Sequence, residues 1–146
     1  MEKEVGKENG IFKTAVPAGT ALVVVHSLAV INNWYRLIPR IDTIIHFSWT
    51  VVLGLVVYWI INRFPGYIDL GKNLFFTILV GLSLAALGGV LWEFGEFTYD
   101  FVARSYILGV SPVQFNLYDT LSDLFFNLLG GFTVAIFVWL RYHRKR

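Results

Sequence analysis

The chain reads as an all-α polytopic membrane protein, a four-transmembrane-helix bundle with both termini cytoplasmic. Three observations carry that reading. Of its 146 residues, 56% are apolar and 17% aromatic against 15% charged, and the mean hydropathy is positive, a balance unlike that of soluble domains. The apolar residues gather into four runs, each long enough to cross a hydrocarbon core about 30 Å thick. Connections containing Pro, Gly, Asn and Arg separate the runs.

The same composition sets several classes aside. The chain has no cysteine, so neither disulfide nor thiolate chemistry is available. A net charge of +2 is too small to argue for nucleic acid. The basic residues at the C-terminus, Arg141, Arg144, Lys145 and Arg146, suit a cytoplasmic membrane surface. The partner that composition demands is the lipid bilayer, and the expected location is the cell membrane, crossed several times.

Met1 to Gly10 mixes Glu and Lys with almost nothing to bury and reads as a frayed cytoplasmic tail. The membrane domain follows over residues 11–140. Its first span starts at about Ile11 or Thr14 and ends at Ile31, with Pro17 in the opening turn. A polar stretch precedes this span and no small-residue cleavage site ends it, which argues against a signal peptide. Asn32 to Arg40 is a short connection whose Trp34 and Tyr35 suit the headgroup region. The second span covers residues 42–61, with Ile41 as an alternative start. After a turn over residues 62–73, the third covers residues 74–97, and its small residues from Gly81 to Gly89 allow close helix packing. Tyr99 to Leu117 is the longest connection, and the fourth span covers residues 118–140. Residues 141–146 form the basic tail.

Lys and Arg distribute unevenly over the two faces of this layout. Nine lie on one face (Lys3, Lys7, Lys13, Arg63, Lys72, Arg141, Arg144, Lys145, Arg146) and three on the other (Arg36, Arg40, Arg104). The richer face is expected to be cytoplasmic.

The stretch YDTLSDLFFNLLGG, Tyr118 to Gly131, places Asp119, Asp123 and Asn127 at four-residue intervals inside an apolar run. On a helix that is one polar stripe. Asp42 and His46 share a face at the start of the second span, and Glu93 and Glu96 share one near the end of the third. Consecutive spans alternate in direction, so all three sets fall in the same half of the membrane. At about 3 kcal/mol for an ionised side chain at mid-bilayer, these acids are expected to be near the interface, protonated or paired. Few basic residues lie on their side, which points to a cation. Carboxylates, an amide and one imidazole suit Mg²⁺ or Mn²⁺, with Zn²⁺ open through His46.

The candidate metal ligands are Asp42, His46, Glu96, Asp119 and Asp123. Glu93, Glu96 and Asp123 are candidates for acid–base work beside such an ion, and Asn127 and Arg104 for contacts with a substrate. Each has a plainer reading. Asp119 could cap the fourth helix, and the whole set could be an interhelical hydrogen-bond network that only holds the bundle together. His26, with no acidic neighbour on its own helix, reads as structural. Trp92 and Trp49 read as packing, and Gly130 and Gly131 as close helix approach.

The pattern Asp42-x-x-x-His46-Phe47, Trp92-Glu93-x-x-Glu96 and Asp119-Thr-x-x-Asp123-x-x-x-Asn127-x-x-Gly130 resembles that of the YjdF-like inner-membrane proteins, which are related to the VanZ-like family. The resemblance covers residues 12–140 as layout and implies an integral membrane protein with a shared polar site. VanZ-like members usually carry Gln where this chain has Glu96, and an Arg before the last motif, whereas Arg104 lies well upstream. Those departures favour the YjdF-like branch.

Three functions are compatible with these residues. One is a metal-assisted hydrolase or transferase acting on a lipid or lipid-linked headgroup, which uses both His46 and the surplus of acids. A second is a cation or proton transporter or sensor, against which the apolar stretches Val51 to Ile61 and Phe132 to Leu140 count. The third is a non-catalytic component that binds a lipid or protein partner.

Overall fold

The structure, a computed structural model, describes residues 2–63, 70–106, 113 and 116–144, with the side chains of 2–12, 104 and 105 left out. Its elements are α1 (Glu2–Ile31), the single turn α2 (Trp34–Leu37), α3 (Ile41–Asn62), α4 (Leu74–Tyr106) and α5 (Leu117–His143). Four stretches are long and apolar enough to cross a membrane: Lys13–Ile31, Ile41–Asn62, Leu74–Ala103 and Leu117–His143.

Three boundaries differ from the sequence reading. The α1 backbone is helical from Glu2, through a segment of Glu and Lys, which are good helix formers. Pro17 therefore lies inside the helix instead of in its opening turn. The connection after α1 holds the extra turn α2, flanked by left-handed Asn33 (φ 56°) and Arg40 (φ 62°). Finally, α4 runs about two turns further than expected. Its added segment carries buried Asp100 and Ala103, and the Asp100 carboxylate accepts from the Val113 amide at 2.8 and 3.1 Å, tying part of the following connection back to the helix. Most of the segment from 107 to 115 is outside the described residues.

In the bundle α5 packs against both α3 and α4, while α1 packs against α3. Glycines set the closest approaches. A Cβ on Gly131 would lie 2.5 Å from the Ala85 Cβ and 2.6 Å from the Gly81 carbonyl oxygen, and one on Gly130 would lie 2.9 Å from the Phe47 carbonyl oxygen. Only hydrogen fits at either position. Large apolar side chains point outward, among them Phe75, Phe94, Phe101 and Phe125, whereas the buried set is mostly small or polar: Ala85, Ala135, Thr50, Asp42, His46, Glu93, Glu96, Asp123 and Asn127. That inversion suits a chain whose surroundings are lipid tails.

Candidate functional site

Three helices deliver the site. His46 projects from the second turn of α3 and is 2% exposed, with Asp42 one turn before it at 8%. Glu93 and Glu96 come from α4 at 7% each, and Asp123 and Asn127 from α5 at 2% and 3%. His46 Nε2 is the hub. It stands 3.4 Å from Asp42 Oδ1, 3.9 Å from Glu93 Oε1 and 4.0 Å from Glu96 Oε1. Donor atoms of Asp42, His46 and Asp123 all lie within 4.8 Å of one another, as do those of His46, Glu93 and Glu96. No Lys or Arg is buried among the described residues, so within that set the acids have an imidazole as their buried cationic partner.

The ring is held from behind. Thr50 Oγ1 donates to Asn127 Oδ1 at 2.6 Å, and Asn127 Nδ2 meets His46 Nδ1 at 3.1 Å. In this order the amide donates to Nδ1, leaving the Nε2–H of a neutral ring aimed at the acids. Turning the amide over makes Nδ1 the donor and bares Nε2 for a cation, the arrangement usual behind metal-bound histidines. Gly89 makes room for this amide, since a Cβ there would sit 2.7 Å from Asn127 Nδ2.

Several buried polar atoms carry no hydrogen bond: both oxygens of Asp42, His46 Nε2 and Asp123 Oδ1. They face one another across the cluster. Unsatisfied buried polar atoms are rare and costly, and an ion between them removes that cost. A cation bound at about 2.0–2.1 Å keeps its ligands within about 4.2 Å of each other. The spacings of 3.4, 3.9 and 4.0 Å around Nε2 fit inside that limit.

Five of the expected site residues converge here: Asp42, His46, Glu93, Glu96 and Asp123. Asn127 stands behind the ring, its amide engaged by Thr50 and His46. Asp119 is half-buried, one turn outside the cluster, and lines a cleft of about 400 Å³ with Asp42, Tyr35, Arg40 and Ser122. It is not the helix cap; Asn116 is, accepting from the amides of Tyr118 and Asp119 at 2.9 and 3.1 Å. The Arg104 side chain lies outside the described residues.

Other participants gave no charge signal in the sequence. The Trp92 ring stands edge-on to His46, His26 and Trp49, and its indole N–H donates to Glu96 Oε1 at 2.8 Å. His26 meets the Tyr35 hydroxyl through Nδ1. Burial, reinforced by the carboxylates of Asp42, Glu96 and Asp123, pushes the Tyr35 phenol up from its ordinary value, so the hydroxyl keeps its proton, and the His26 tautomer decides which of the two groups donates.

Comparison with known proteins places the chain in a family. An uncharacterized protein of Thermotoga maritima is 34% identical over 107 residues, which are 73% of this chain and 52% of that protein. The chain thus spans about half the length of this relative. No solved structure matches it. The family model described as "Predicted membrane protein (DUF2238)" matches residues 12–145, taking in every helix of the site, and the chain belongs to this membrane-protein family.

Proposed function

We propose that the protein is a metal-assisted hydrolase or transferase of the cell membrane that acts on a lipid or lipid-linked headgroup. The observation that carries this reading is the meeting of four buried carboxylates and one imidazole, with unsatisfied oxygens on Asp42 and Asp123, in a bundle whose exterior is apolar. Asp42, Asp123, Glu96 and His46 would hold the ion, which suits Mg²⁺, Mn²⁺ or Zn²⁺. Bound there, a divalent cation supplies Lewis acidity toward a phosphoryl or carbonyl oxygen. Glu93, whose carboxylate lies 3.9 Å from His46 Nε2, would take a proton from water. The cleft that Asp119, Arg40 and Ser122 line beside Asp42 is where a headgroup would enter.

On the charge distribution both termini are cytoplasmic and the site opens outward. The YjdF-like resemblance, and with it kinship to the VanZ-like family, belongs to the same proposal. Transport fits less well. The space below Thr50, between Leu53, Gly54, Val134 and Val138, is mainly apolar and about 30 Å³, room for roughly one water.

The test is elemental analysis of the detergent-purified protein beside the double variant Asp123→Asn, His46→Ala, together with release of headgroup from a panel of phospholipids. About one ion per chain in the wild type, absent from the folded variant, with metal-dependent turnover, is the expected result. No ion after equilibration with Mg²⁺, Mn²⁺ and Zn²⁺ would overturn it in favour of a structural network.

A further inference from the structure

The helices α1 and α4 do not approach within 8 Å between Cα atoms anywhere among the described residues. They are bridged by rings, His26 of α1 edge-on to Trp92 of α4 at 5.0 Å between centroids. Beside this bridge lies a crevice of about 310 Å³ lined by His26 and Val30 on one side and Leu91, Trp92, Gly95 and Glu96 on the other. That volume is at the lower end of those of small-molecule sites. Its outer rim is apolar and lipid-facing, with Leu91 60% exposed. Its floor is not apolar, because Glu96, 4.0 Å from His46 Nε2, is part of both the crevice and the acid cluster.

A carboxyl and an imidazole in a wall that faces hydrocarbon are expensive, at about 2.5–3.5 kcal/mol for a charged group at mid-bilayer, and such groups mark ligand pathways. The α1–α4 gap also needs a filler, since open volume beside apolar walls forfeits dispersion contacts. In a bilayer the molecule at hand is a lipid tail. The space over Gly95 is open, for a Cβ added there meets nothing within 4 Å.

We infer that this crevice is a side entrance for a bilayer lipid: the upper methylenes of one hydrocarbon chain lie between α1 and α4, and the polar linkage at the head of that chain reaches Glu96 and His26. The inference rests on the reading of the site as acting on lipid, and adds where the substrate's hydrocarbon chain lies and what it touches while the headgroup occupies the cleft beside Asp42. Trp92 is the partition between chain and acids. Its N–H is held by Glu96 and its ring faces both histidines, so it positions the acid and separates it from hydrocarbon.

The experiment is photo-crosslinking of the full chain in nanodiscs of phosphatidylcholine doped with the same lipid carrying a diazirine near the carbonyl end of one chain, with the labelled residues read by peptide mapping. Label should concentrate on Val30, Leu91 and Tyr99 over the lipid-exposed Phe75 at the other end of α4. Gly95→Phe, which projects into open space, should lower that concentrated label at least fivefold while leaving label at Phe75 unchanged. Val30→Trp fills the crevice from the α1 side and should do the same should Gly95→Phe not fold. Even labelling over all outward faces, or concentrated label indifferent to both variants, would overturn the inference. Failure of the metal reading is separable: it shows as absence of an ion in the wild type, whereas Gly95→Phe is expected to retain its ion and Asp123→Asn to retain its lipid label.

Discussion

Replacing Asp123 with asparagine keeps the side-chain volume and removes one acid, and its effect on stability should reverse with the cation present. Asp42, Glu93, Glu96 and Asp123 are all at least nine-tenths buried. Ionised separately near mid-bilayer, each would cost about 2.5–3.5 kcal/mol. If a protonated His46 offsets one, the other three still cost about 8–10 kcal/mol, comparable with the whole stability of a domain at about 5–15 kcal/mol. On the proposed metal reading, a cation would neutralise the cluster when one is available, and protons would do so otherwise. A cation at one hundred times its Kd stabilises the folded state by about 2.7 kcal/mol. Thermal unfolding followed by tryptophan fluorescence in detergent, with EDTA and then along a cation titration, gives the comparison directly. Wild type should rise by about that amount and Asp123→Asn should not respond. In EDTA the variant should be at least as stable as wild type, because one buried acid is gone. A wild type indifferent to Mg²⁺, Mn²⁺ and Zn²⁺, with a variant weaker in EDTA, would refute the reasoning.

Three further outcomes are expected. Gly131→Ala brings a Cβ to 2.5 Å from Ala85 and 2.6 Å from the Gly81 carbonyl oxygen, where carbon contacts normally lie at about 3.5–4.0 Å. It should lower the detergent unfolding free energy by about 1–3 kcal/mol, and an unchanged midpoint would contradict the close crossing of α4 and α5. Thr50→Val deletes the hydroxyl that orients Asn127 and should weaken cation binding about 10-fold or more in a titration, at a stability loss of about 0.5–1.5 kcal/mol. Asn116→Ala removes the acceptor for two amides at the start of α5 and should cost about 1 kcal/mol, with amide-exchange protection lost at Tyr118 and Asp119 while cation binding persists.

The convergence of α3, α4 and α5 was legible because it needs only span direction and helical spacing. Asp42 and His46 open one span, Glu93 and Glu96 close the next, and Asp123 opens the last, so antiparallel packing brings them together. What was not legible depends on rotation and on neutral side chains. Thr50 is one threonine among several apolar neighbours until α5 turns Asn127 toward it. Trp92 resembles any membrane tryptophan until its N–H is seen on Glu96. His26 lacked an acidic neighbour along its own helix, yet its neighbours are the Trp92 ring and the Tyr35 hydroxyl, supplied by other elements. Asp119 and Asn116 compete for the same capping role, and Asn116 takes it because its backbone is extended there while Asp119 is already inside the first turn. The length of α4 turned on a contact between Asp100 and Val113 across the connection, which no local pattern announces.

The buried face of α5 explains why access to the site is one-sided. Its polar half, Asp123 and Asn127, is followed without a break by Gly130, Gly131, Val134, Ala135 and Val138, all buried. The glycines draw α5 against the Phe47 carbonyl on α3 and against Gly81 on α4, so the three helices that present the acids close directly beneath them. Hydrocarbon and backbone contact replace solvent at that level, and the small space that remains is lined mainly by apolar side chains. At the opposite end the helices part into the Asp119–Arg40 cleft and the α1–α4 crevice. A site sealed below and opened both upward and sideways suits a reactant that keeps its tail in the bilayer and its head in water. The same stripe of small residues thus fixes the helix crossing and sets the direction from which the acid cluster can be reached.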